Sequence, residues 1–223
     1  MCFNEQTSWI TLIISFVVTL ISLLYVSISS QSHPDKNKVI VIILLWQYAA
    51  LMQIPEALAW RTLNKKTSIS MKSSSVLAFF LNITQPIITF LLISYVINSN
   101  YNTFIFGSSF SLVFLYICFW IYQLLYLQNW TWNIKPLQHC DHLNLGWWTN
   151  NYFFVFLYLL AIVSSLMMLG FKYFIFSIIM FIGTLLISNY FYKCGVGSIW
   201  CWIAAFMGIV TILFHSIDKL ISV

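Results

Sequence analysis

The sequence predicts an all-α fold, a polytopic integral membrane protein folded as a bundle of seven transmembrane helices. Of its 223 residues, 61% are hydrophobic and only 7% are charged, whereas charged residues make up roughly a quarter of a soluble domain. Apolar runs of about 20 residues, the length that crosses a hydrocarbon core about 30 Å thick, recur along the whole chain. We therefore expect one helical membrane domain covering residues 1–223.

Polar breaks divide the apolar sequence into seven predicted spans. Their approximate ranges are 9–29, 39–60, 75–97, 104–127, 151–169, 172–192 and 199–217. The fifth and sixth spans are separated by little more than Gly170 to Lys172. A single helix in their place would be about 60 Å long, twice the thickness of the hydrocarbon core, so we predict two helices. Outer-membrane strands are the competing architecture, but they alternate polar and apolar residues, which these spans do not.

The basic residues predict how the bundle is oriented. With seven spans, the N-terminus and the second, fourth and sixth loops share one face of the membrane. That face holds six of the ten basic residues, namely Arg61, Lys65, Lys66, Lys72, Lys135 and Lys193. Because cytoplasmic loops are enriched in Lys and Arg, we predict a cytoplasmic N-terminus. The net charge of +5 includes no dense basic cluster, so we expect a lipid bilayer as partner and no nucleic acid.

Glu56 is the most informative single residue, because it lies within the second predicted span, where a carboxylate is costly to hold. Helical spacing places Ala49, Gln53, Glu56 and Trp60 on one stripe. We expect this stripe to face the bundle interior, since lipid offers polar groups no partners. Two interpretations stay open. Glu56 is either a structural carboxylate that pairs with Arg61 or reaches the interface, or a functional group that exchanges a proton or holds a cation.

The third span carries a second polar cluster beside a proline. Asn82, Gln85 and Thr89 lie on nearby positions of one helical face, and Pro86 frees a backbone carbonyl group and bends the helix. The second span has a similar arrangement around Pro55. Transporters often build a midplane site from such interrupted helices. The alternative is that these polar residues only hold neighbouring helices together.

The fourth loop contains side chains that can ligate a metal ion. His139, Asp141 and His142 lie within four residues of one another, and both histidines would reach one ion if the segment were helical. The spacing matches no paired zinc signature. A metal site and a plain polar loop at the interface are therefore both open.

Several functions are not expected from this sequence. A retinal Schiff base needs a lysine midway along the last helix, whereas Lys219 lies at the end of the chain's last span. The sequence has no Walker-type phosphate loop, no Gly-x-Ser-x-Gly turn and no His-Glu-x-x-His motif. Catalysis of the kind found in soluble enzymes is therefore not predicted.

Short motifs spread over residues 1–148 resemble an uncharacterised family of seven-helix membrane proteins of protists, bacteria and large DNA viruses. They are Met1-Cys2, Glu56 late in the second helix, Gln85-Pro86 in the third, and His139, His142-Leu143 and Trp147 in the fourth loop. The last three helices contribute nothing to the resemblance. It implies the same helix count, but no reaction.

The leading functional hypothesis is a transporter or channel for a small molecule or an ion. Its pathway would be lined by Gln53, Glu56, Asn82 and Gln85. One alternative is a metal-assisted enzyme at the membrane surface that uses the loop containing His139 and His142. Another is a non-catalytic structural or host-interaction protein.

Overall fold

The computed structural model is helical. It describes residues 4–29, 34–64, 71–97, 102–126, 152–191 and 202–221, together with the short pieces 135–136 and 143–144. The helices in these ranges are α1 (Glu5–Ser29), α2 (Lys36–Ala50), α3 (Gln53–Leu63), α4 (Met71–Ile97), α5 (Thr103–Tyr126), α6 (Tyr152–Met167), α7 (Phe171–Phe191) and α8 (Met207–Ile221). In the fourth loop, β1 (Lys135–Pro136) pairs with β2 (Leu143–Asn144) in antiparallel register.

Five segments of the described chain are long and apolar enough to cross a membrane. They are Glu5–Ser29, Lys36–Leu63, Ser73–Ile97, Thr103–Tyr122 and Phe171–Tyr190. The second of these joins α2 and α3, and Val155–Met167 forms a shorter apolar helix. The all-helical fold agrees with the sequence prediction, and the count of seven spans stays a prediction.

The described part of the last predicted span, 199–217, is helical but interrupted, since residues 202–204 are helical and residues 205–206 form a turn. Helix α8 begins at Met207 and ends at Ile221. Just before it, the amide of Ala205 donates to the carbonyl of Trp202, at 3.2 Å, and that of Phe206 to Ile203, at 3.0 Å. These bonds join residues three apart, so the backbone turns here instead of continuing an α-helix.

The polarity of the bundle is inverted relative to a soluble protein. On α1, Ser8, Thr11 and Ser15 are buried, while Ile13 and Leu20 are 62% and 59% exposed. Large exposed hydrophobic side chains also occur on α4, α5, α6, α7 and α8. Exposed large apolar side chains on so many helices are typical of surfaces that contact protein or lipid.

The ion pairs of the described chain lie at the two ends of the bundle. At one end Arg61 Nε lies 3.6 Å from Glu5 Oε1. At the other end an ion cluster joins the starts of α2 and α7 to the end of α8, and it consists of Asp35, Lys38, Lys172 and Asp218. Helix α1 of 25 residues is about 38 Å long at 1.5 Å per residue. The two groups of charges therefore lie about one bilayer thickness apart.

Gly208 allows α1 and α8 to approach closely. A Cβ atom built at this position would lie 2.8 Å from Ser22 Oγ and 3.0 Å from Val18 Cγ1. The corresponding Cβ atom at Gly183, in the middle of α7, would meet nothing within 4 Å. Gly208 is thus required by packing, whereas Gly183 is not.

We expect Gly208→Ala to lower the thermal unfolding midpoint of the detergent-purified protein and Gly183→Ala to raise it. Both changes gain about 1 kcal/mol of helix propensity. At Gly208 that gain is outweighed by overpacking against Val18 and Ser22, which costs about 1–3 kcal/mol. Equal midpoint shifts for the two variants would contradict the close packing of α1 against α8.

Candidate functional site

The second membrane-length segment is interrupted where α2 ends and α3 begins. The ring of Pro55 has no amide hydrogen to donate to the carbonyl four residues earlier. Helix α2 ends at Ala50, and the amides of Met52 and Ile54 donate to the carbonyls of Ala49 and Leu51, at 3.3 and 3.0 Å. The predicted proline effect therefore appears as a break at Leu51 and Met52, between two shorter helices.

Gln53 and Glu56 lie on the buried face of α3. Gln53 is fully buried and Glu56 is 2% exposed. Ala49, the next member of the predicted stripe, is also buried, and Trp60 is half-buried. Glu56 belongs to the first turn of α3, where the helix dipole favours a negative charge. The interruption thus gives this buried carboxyl group a favourable backbone environment.

Arg61 forms its ion pair with Glu5 of α1, at the end of the bundle. The guanidinium group is about half exposed there. The interpretation in which Arg61 pairs with Glu56 is therefore not the arrangement observed. Although Glu56 and Arg61 are only five residues apart in the sequence, the side chain of Glu56 is buried and that of Arg61 is about half exposed.

Asn82 of α4 contacts the chain at the α2–α3 break. Its side-chain Nδ2 lies 3.2 Å from Met52 Sδ and donates to the carbonyl of Ala78 at 3.1 Å. Met52 directly precedes Gln53. Asn82 therefore lies beside the start of α3, as expected for polar residues of neighbouring helices that share one site.

Pro86 lies inside α4, which is nevertheless continuous. The missing amide of a proline leaves carbonyl groups of the preceding turn short of partners. The hydroxyl group of Tyr116 on α5 donates to the carbonyl of Ile83 in that turn, at 3.1 Å. A neighbouring helix thus supplies a donor next to the proline, as membrane bundles commonly do.

Gln85 is held by a tyrosine of α6. The Tyr158 hydroxyl donates to Gln85 Oε1, and both side chains are buried. Thr89 donates to the backbone carbonyl of Gln85 at 2.7 Å. With its side-chain oxygen occupied by Tyr158, Gln85 directs its NH₂ group elsewhere.

A cavity of about 70 Å³ lies between α2, α4, α6 and α7. Its volume exceeds the roughly 10–15 Å³ that one water molecule needs. Most of its walls are aliphatic or aromatic. The lining residues are Ile42, Leu45, Trp46, Tyr48, Ala49, Gln85, Thr89, Ile162, Leu166, Ser177 and Phe181.

Two buried polar atoms at this cavity have no hydrogen-bond partner among the described residues. They are Gln85 Nε2 and Ser177 Oγ, and each residue is only 5% exposed. An unsatisfied buried donor costs about 1–3 kcal/mol. Two such groups on the wall of one cavity therefore indicate a place for a water molecule or a ligand.

The ion cluster lies one helical turn beyond this cavity, toward the bundle end. Lys38 precedes the lining residue Ile42 on α2, and Tyr173 precedes Ser177 on α7, so the offset is about 6 Å along each helix. The Lys172 ammonium group lies 4.9 Å above the Tyr173 ring. Lys172 also pairs with Asp218, and it lies 3.8 Å from Asp35. Ion pairs and a buried aromatic ring therefore occupy the bundle between the cavity and this end.

The structure divides the four predicted pathway residues into two groups. Gln53, Glu56 and Asn82 lie around the α2–α3 break, while Gln85 lines the cavity one turn farther along α4. Sequence reasoning missed Tyr158 and Ser177. A single tyrosine or serine in an aromatic and aliphatic run has no distinguishing signal, because only packing decides which helix faces turn inward.

The predicted metal ligands His139, Asp141 and His142 lie outside the described residues. In the described part of the chain, no three His, Cys, Asp or Glu side chains are grouped to hold a metal ion. The metal-site hypothesis stays a prediction from sequence.

Lys219, the lysine at the end of the last predicted span, lies near the end of α8. It donates to the carbonyl of Ser29 at 2.6 Å.

Comparison of the chain with protein-family models, curated proteins and solved structures found no match. The resemblance to the uncharacterised seven-helix family therefore stays an expectation.

We expect Tyr158→Phe to lower the free energy of unfolding by about 0.6–1.7 kcal/mol, the range found for hydrogen bonds between membrane helices. The change removes the donor to Gln85 Oε1 and leaves that oxygen buried. Tyr95→Phe on α4 is the matched control, because Tyr95 is 83% exposed. Titration with denaturing detergent would measure both values, and equal effects would contradict the inferred role of Tyr158.

Proposed function

We propose that this protein is a multi-pass integral membrane protein that moves a small molecule or an ion through a polar site inside its helical bundle. The supporting observation is the burial of Gln53, Glu56, Asn82 and Gln85 on two proline-containing helices, beneath an apolar exterior. Buried polar side chains in a bilayer are costly and mark solute pathways. Interrupted helices that expose backbone groups beside such side chains are a recurring feature of transporters.

The placement of charge supports a membrane setting for this function. The ion pairs of the described chain lie at the two ends of the bundle, and apolar side chains cover the helices between them. Glu56 is the acidic residue of the described chain that is buried inside the bundle. Within the proposed pathway it is the group that can change charge, so it would couple transport to a proton or hold a cation.

We expect Glu56→Gln to reduce transport at least about tenfold, which corresponds to about 1.4 kcal/mol on the rate-limiting step. The amide keeps the shape of the side chain but cannot ionise. Flux would be measured in proteoliposomes with a panel of inorganic cations and small neutral solutes, at two values of pH.

Glu5→Gln is the control for this experiment. It makes the same chemical change at the bundle end, where Glu5 pairs with Arg61, and should leave flux unchanged. A folded Glu56→Gln protein with wild-type flux for every solute tested would count against the proposed function.

The proposed orientation places the N-terminus and the fourth loop in the cytoplasm. In a variant that keeps Cys140 and lacks Cys2, Cys118, Cys194 and Cys201, an impermeant thiol reagent should label Cys140 only after the cells are permeabilised. Labelling in intact cells would reverse the orientation, because the six basic residues on the predicted cytoplasmic face would then lie outside.

A further inference from the structure

The cavity between α2, α4, α6 and α7 presents fixed hydrogen-bond donors. Because Tyr158 donates to Gln85 Oε1, the two N–H groups of the Gln85 side chain remain for another acceptor. Across the cavity, the Ser177 hydroxyl can donate or accept one bond. Both groups are buried and have no partner among the described residues. The cavity therefore suits a molecule that accepts a hydrogen bond.

The charge of the lining restricts that molecule further. No lining residue carries a charge, and the ion cluster that includes Lys38 and Lys172 lies one turn away. An ion placed among Trp46, Phe181 and aliphatic side chains would lose its hydration without gaining a counter-charge, which is strongly unfavourable. An uncharged molecule loses much less.

From these two observations we propose that the cavity is a binding site for a small uncharged molecule with a carbonyl or hydroxyl oxygen. The oxygen accepts from the Gln85 amide group, a second polar group meets Ser177, and the apolar part packs against Trp46 and Phe181. Tyr158 is a positioning residue, since it fixes the orientation of the Gln85 amide. This inference rests on the proposed function and deepens it, because it names the class of solute.

The experiment compares acetamide with two charged molecules of similar size, acetate and methylammonium. Binding is measured by ligand-observed NMR on the full chain in lipid nanodiscs, and flux by swelling of proteoliposomes. We expect acetamide to bind and the charged molecules not to bind. Gln85→Leu and Ser177→Ala should each weaken acetamide binding by about three- to tenfold, the usual effect of one lost hydrogen bond.

Two further variants distinguish the loss of a ligand contact from a loss of protein stability. Ser188→Ala is the matched control, because Ser188 also lies buried on α7 without a partner among the described residues but does not line the cavity; it should bind acetamide as wild type does. Ala49→Leu fills the cavity from α2, and it should abolish binding while the thermal unfolding midpoint stays the same or rises.

The outcomes distinguish this inference from the proposed function. Acetamide binding that requires Gln85 and Ser177 supports the inference, and if flux is then missing, only the proposed transport function fails. Equal or stronger binding of acetate or methylammonium overturns the inference and leaves transport standing. Failure of all three probes to bind the folded protein, or equal losses in Ser177→Ala and Ser188→Ala, also overturns it.

Discussion

The structure depends on one constraint: polar groups must be satisfied inside the bundle, because its exterior is apolar. The hydroxyl groups of Thr11, Thr89 and Thr211 meet it within their own helices, by donating to the carbonyl four residues earlier at 2.7–2.8 Å. Such bonds satisfy the hydroxyl group without any contribution from a neighbouring helix. Side chains that cannot bond in this way determine how the helices are arranged.

Gln85 shows how strongly one amide can organise its surroundings. Its backbone carbonyl is bonded by Thr89, its side-chain oxygen by Tyr158, and its nitrogen faces a cavity shared with Ser177. Three helices contribute to this one residue and its cavity wall. An apolar residue here would keep the bond from Thr89 to its backbone carbonyl, but it would need neither the Tyr158 hydroxyl group nor a polar cavity wall. The energetic cost of retaining an amide in the bundle is consistent with a ligand that completes its hydrogen bonds.

The sequence was sufficient to predict the helical class and which polar residues lie inside, but not their partners. Burial of Gln53, Glu56, Asn82 and Gln85 follows from their position within apolar spans, since lipid cannot satisfy them. From Pro55 the sequence predicted only a bend within one helix, whereas the structure has a break between α2 and α3. The pairing of Arg61 with Glu5 joins distant segments, which periodicity does not encode. The turn before α8 had no sequence signal, because residues 202–206 contain no glycine or proline.

The hydroxyl-rich face of α1 has a consequence for biogenesis. Thr11 and Ser15 donate to carbonyl groups of α1 itself, and Ser8 donates to the carbonyl of Asn4 just before the helix. None of these three hydroxyl groups needs a partner on another helix. Ser22 is different: its hydroxyl has no partner among the described residues and lies against Gly208. Because α8 is the last of the described helices to be synthesised, Ser22 remains uncovered longer than Ser8, Thr11 and Ser15, whose hydroxyl groups are satisfied as soon as α1 forms.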